Sequence, residues 1–180
     1  MSSAISEVVS RLKKLGLKCE DFPLDQISSP IAALVCFPMY MVVNVHGWTS
    51  DRQFKIPVLD IQAFREAFVI GEEEGRLDVT HEHQKVVDSM LTTVRPPDLV
   101  IYEYALETLK QYLAIAQPTV GEKIRTLVAR MVVDVAKASG KSIFGTGEKV
   151  SPQERECISH IAAELRLTDV AAAAEILNSL

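Results

Sequence analysis

The sequence predicts an all-α fold, a compact bundle of about eight helices built from two related halves. Three observations lead there. Apolar residues recur three and four positions apart almost throughout, as in Leu99, Tyr102, Leu106, Leu109, Leu113 and Ala116, which puts them on one face of a helix. No stretch sustains the period-two alternation of strand-favouring residues that a half-buried strand needs. The composition is 48% hydrophobic but only 6% aromatic, an aliphatic mixture suited to packed helices.

In chain order, the pattern predicts helices over about 2–15, 30–46, 51–74, 79–92, 97–117, 119–139, 152–166 and 168–179. Ser29-Pro30 opens the second. Pro38 lies inside it, where the ring removes a backbone hydrogen bond and crowds the preceding turn, so a kink is expected. Gly47 sits where that helix should stop. Ser50-Asp51-Arg52-Gln53 offers the glutamine form of a capping box for the third, which carries Ile61, Phe64 and Phe68 as its stripe and Pro57 as a point of restart. Pro96-Pro97 is expected to join halves of about 1–95 and 96–180 within one domain, since neither half has an obvious core of its own.

Thr119-Val120-Gly121-Glu122 after Pro118 repeats the capping pattern, ahead of Val120, Ile124, Leu127, Met131, Val135 and Ala138 at helical spacing. Ser151-Pro152-Gln153-Glu154 is a capping box with proline at the first helical position, followed by Ile158, Ile161, Ala162 and Leu165. Thr168-Asp169 is expected to open the last helix.

A chain of 180 residues is long enough to bury a substantial core in one domain. The net charge of -5 lacks the electrostatic footprint of general nucleic-acid binding, so nucleic acid is not an expected partner. Cys19, Cys36 and Cys157 are odd in number and widely spaced. They build neither a disulfide framework nor a CxxC metal knuckle, and are expected to be buried reduced thiols of a cytoplasmic protein. Met1 to Lys14 lacks the apolar core of a signal peptide. The longest apolar run, Ile31 to Val43, contains Pro38 and falls short of the roughly 20 residues that span a bilayer. The expectation is a soluble, cytoplasmic protein with no transmembrane segment.

Self-similarity appears at half the chain length. Met41-Val42-Val43-Asn44-Val45 is matched by Met131-Val132-Val133-Asp134-Val135. Each block is expected to end a helix and to lead through a glycine-containing connection to a Ser-led capping box, at Ser50 and at Ser151. The second connection, 136–150, is the longer and carries Gly140, Gly145 and Gly147.

This helix-end, glycine-loop, Ser-x-x-Glu, apolar-helix arrangement resembles the TerB-like family, named for bacterial tellurite resistance. Val133 to Leu167 is similar to the family's second copy, including a form with a Gly-Phe-Gly-like insert, here Ile143-Phe144-Gly145-Thr146-Gly147. Met39 to Gln53 carries a weaker likeness. The resemblance implies an all-helical fold of two related halves with acidic surface residues near the loops. It further implies a role in stress and tellurite resistance, metal binding and assembly at membrane-linked complexes, and no characterised enzymatic activity.

His46 and Gln53 stand where the family has carboxylates in the first copy, and the insert ending Gly147-Glu148 replaces Asp-Gly in the second. Hard cations want several oxygen ligands. The candidate ligands for a divalent metal, the one candidate cofactor, are therefore Asp134, Glu148, Glu154 and Glu156. Glu154 has a competing role as the capping residue.

Other constellations point to bland roles. Glu72-Glu73-Glu74, Asp78, His81, Glu82 and His83 form an acidic, His-bearing stretch. The two histidines are two apart, which on a helix turns them to different sides, so a solvated acidic face is expected. Gly140-Lys141-Ser142 resembles the end of a phosphate loop, but position 135 is Val where the motif needs Gly, and a helix precedes it. Trp48 is expected to pack at the joint of the halves, and His160 to be a satisfied, half-buried histidine.

The leading expectation is a non-enzymatic TerB-like binding or adaptor module with a protein partner and a response to divalent metal. The alternative is a small helical enzyme or ligand carrier with a pocket between the halves, and a third reading is a structural interaction domain that binds no metal. A buried carboxylate pair in a cleft would favour the enzyme. An exposed apolar or acidic patch would favour the adaptor.

Overall fold

A computed structural model of the chain describes residues 3–19, 22–43, 45, 99–139 and 150–180. Among these, all regular structure is helical and no strand occurs. The helices expected over 51–74 and 79–92, the Pro96-Pro97 joint, Trp48, the acidic His-bearing stretch and the insert before Val150 lie outside the described residues. Among the described residues, no helix is long and apolar enough to cross a membrane.

Helix α1 spans Ser3–Lys14 and carries Arg11, Lys13 and Lys14 in its last turn, where positive charge complements the helix dipole. It stops at Gly16, whose φ of 80° is left-handed. Gly16 N donates to Lys13 O and Leu17 N to Leu12 O, both at 3.0 Å, the paired bonds of a Schellman cap. Leu12 and Leu17 are both fully buried, so the stop also returns the chain to the core.

Helices α2 (Ser29–Val35) and α3 (Phe37–Val43) replace the single kinked helix expected over 30–46. The break falls at Cys36, whose N–H closes a tight turn on Ala33 O at 3.1 Å. Pro38, second in α3, has no N–H to give to Leu34 O, so the ladder cannot continue. Ser28, one residue before the expected Ser29-Pro30 start, is the N-cap of α2, with no capping bond from its side chain. Every residue of α2 is buried, as befits a helix apolar on all sides.

Helices α4 (Leu99–Ile115) and α5 (Pro118–Ser139) are joined through Ala116 and Gln117. Gln117 N donates to Leu24 O at 3.0 Å, tying the segment after α1 to this connection, and Phe22 meets Tyr112 edge-on at 5.6 Å. The cap expected at Thr119 does not form. Gln117 O accepts from Gly121 N at 2.9 Å, so Pro118 occupies the first helical position and Thr119 lies exposed inside the first turn.

Helix α6 (Pro152–Leu165) ends on Arg166 in the left-handed region, φ 54°. A short 3-10 turn, Leu167–Asp169, leads to α7 (Ala171–Leu177). Thr168-Asp169 therefore does not cap the last helix: both sit in the 3-10 turn, and Val170 is an extended N-cap with no side-chain bond.

One apolar core joins residues on both sides of the undescribed stretch, among them Leu12, Leu34, Met39, Leu109, Val132 and Ile161. Helix α3 runs through its middle, packed on α4, α5 and α6; α1 lies on α4, and α7 on α5. Tyr40 of α3 stacks on Tyr102 of α4 at 6.1 Å. The blocks of the sequence repeat hold different positions: Val43 is the last residue of α3, whereas its match Val133 lies inside α5, which runs on to Ser139.

Candidate functional site

The capping box forms as its residues demand. Ser151 is extended, with φ -70° and ψ 158°. Its Oγ accepts from Glu154 N at 3.1 Å, and Glu154 Oε2 accepts from Ser151 N at 2.7 Å. Two amides that the first helical turn leaves orphaned are satisfied reciprocally. Glu154 is only 3% exposed and Val150 beside the cap is buried, so the carboxylate is held inside by its backbone partner.

The other candidate metal ligands are dispersed. Glu156 is exposed two residues on, turned to a different side of α6 from Glu154. Asp134 is exposed on α5, where it lines a shallow groove of about 480 Å³ against α7 together with Arg130, Lys137, Glu175 and Ser179, over Val133 and Ile176. Lys137 Nζ donates to Ser179 Oγ at 2.8 Å, and Ser179 Oγ in turn to Ile176 O at 2.7 Å. Glu148 lies outside the described residues. Among the described residues, no group of three or more His, Cys, Asp or Glu side chains could hold a metal ion.

Ion pairs cross the face between α4 and α6. Lys110 Nζ meets Glu164 Oε2 at 2.8 Å and Glu107 Oε2 at 3.6 Å. The hydrogen bond to Glu164, then the Glu107 charge, raises the Lys110 pKa, and the same hydrogen bond lowers that of Glu164. His160 Nε2 lies 3.1 Å and 3.3 Å from the two Glu103 oxygens. His160 is not the half-buried histidine expected from its stripe, for its side chain is 43% exposed. Ile161 takes the inward position, and a step of one residue turns His160 about 100° away, onto the flank facing α4.

The three cysteines carry no disulfide. Cys19 and Cys36 are buried and Cys157 is half-buried. Burial pushes the Cys36 thiol up to about 12. Burial, then the Glu103 and Glu154 charges, push Cys157 up to about 12. Burial thus favours the neutral thiol at both positions.

A polar cluster missed by sequence reasoning binds α1 to α4. Arg11 Nε donates to Thr108 Oγ1 at 3.0 Å and its terminal nitrogen to Tyr104 O at 3.2 Å, with the guanidinium 4.0 Å from the centre of the Tyr104 ring. Thr108, fully buried, donates to the same carbonyl at 2.6 Å. Arg11 and Thr108 are 97 positions apart, and no local pattern signals such a pairing. Arg125 plays a similar part at the far end of α6, donating from Nε to Leu165 O at 2.9 Å and satisfying a carbonyl in its last turn.

Chemically, these groups orient helices and present a mixed-charge surface. No family model matches this chain, and no curated protein or solved structure matches it either.

Proposed function

We propose that this chain is a TerB-like binding or adaptor module of the stress-response and tellurite-resistance type, working in the cytoplasm through a protein partner and without turnover of its own. The observation that carries the reading is the head of α6. Ser151, Pro152 and Glu154 open that helix with a capping box, at the place where the resemblance puts its Ser-x-x-Glu cap, after a long helix and a glycine-rich stretch of sequence. The groove between α5 and α7, with both signs of charge over an apolar floor, offers a protein partner ion pairs at its rim and area to bury.

A response to a divalent cation belongs to the same proposal, drawing on Asp134, Glu148, Glu154 and Glu156 singly or in pairs, since no three such side chains gather to hold a cation among the described residues. Glu154 already accepts from Ser151 N through Oε2, so metal binding and helix capping would share one carboxylate.

A thermal-shift series on chelator-treated protein against calcium, magnesium, manganese and zinc tests that response. A cation at one hundred times its dissociation constant adds about 2.7 kcal/mol to the folded state. The expected result is a rise in Tm with one metal that is lost in Asp134→Asn. No movement with any of the four removes the metal and leaves an interaction domain. The duplication is tested separately by backbone chemical shifts of residues 44–55. Helical shifts beginning after a Ser50 cap are expected, and extended or coil shifts from Asp51 onward would overturn the TerB-like reading.

A further inference from the structure

We draw no further inference here: the strongest candidate, the Cys157, His160 and Glu103 side-chain cluster on the α4–α6 face, carries nothing, because these groups form no metal-holding set among the described residues and the His160–Glu103 contact belongs to the surface already described.

Discussion

Helix α4 is held on two sides by different means. Against α1 it uses one arginine, whose guanidinium reaches a fully buried hydroxyl, a backbone carbonyl and a ring face. Against α6 it uses solvent-exposed pairs, Lys110 with Glu164 and Glu103 with His160, above the apolar seam of Leu106, Leu109, Ile158 and Ile161. Sheltered polar groups lose water on folding and must find partners, so removing one partner leaves a costly orphan. Exposed ions keep much of their hydration, and their attraction is screened. The exposed polar contacts are therefore the less important ones, and α6 is held by apolar packing.

The largest break in this contrast should come from Arg11→Ala, which we expect to cost about 2–3 kcal/mol in denaturant unfolding, since it removes two charged-donor hydrogen bonds and the ring contact and leaves the buried Thr108 hydroxyl only its bond to Tyr104 O. Arg11→Lys should recover only part of this loss, because an ammonium cannot match the planar fork. A cost within error of zero for Arg11→Ala would abolish the contrast. Next, Ser151→Ala should cost about 1 kcal/mol by opening the cap of α6, and Glu154→Ala about 0.5–1 kcal/mol if capping is its whole role.

Titration sharpens the comparison, because α6 carries Cys157 and Glu164, whose values are shifted in opposite directions. The Cys157 thiol has its folded value raised from 9.0 to about 12. Its share of stability is fully present below pH 9.0 and is lost as pH rises towards about 12. Cys36 adds a loss of the same sign. Cys157→Ser should flatten the fall in Tm above pH 9, and an unchanged slope would count against burial as its cause.

Glu164 has the opposite sign. Its value is lowered by Lys110, so its contribution is present above the ordinary carboxylate range and lost as pH falls through the lowered value. That contribution should be small and should vanish in high salt, as a Lys110→Ala, Glu164→Ala double-mutant cycle would reveal. Smallest of all should be Tyr104→Phe. The Tyr104 hydroxyl is buried without a hydrogen-bond partner among the described residues, so its removal should leave Tm unchanged or slightly raised, while the ring stays beneath Arg11.

Local rules were legible where the deciding residues adjoin. The stripe Tyr102, Leu106, Leu109 and Leu113 is buried as its spacing requires, and Ser151 with Glu154 closes the expected box, whereas Pro38 ends a helix ladder where only a kink was expected. Thr119 failed as a cap because Pro118 was better placed one residue earlier, and Thr168 failed because the chain turns there through a 3-10 segment first. Capping residue types mark a neighbourhood of one or two positions, and packing selects among them.

By itself the sequence determined that the described segments are helices, where several of them start and stop, and which face of each is apolar. These follow from backbone sterics, capping hydrogen bonds and periodicity, all of which act within a few residues. Only the tertiary structure decided that α3 runs between α4, α5 and α6, that Arg11 reaches Thr108, and that His160 turns outward while Glu154 is buried. Those outcomes depend on which apolar faces meet, and meeting faces are chosen by shape and buried area summed over residues far apart in the chain.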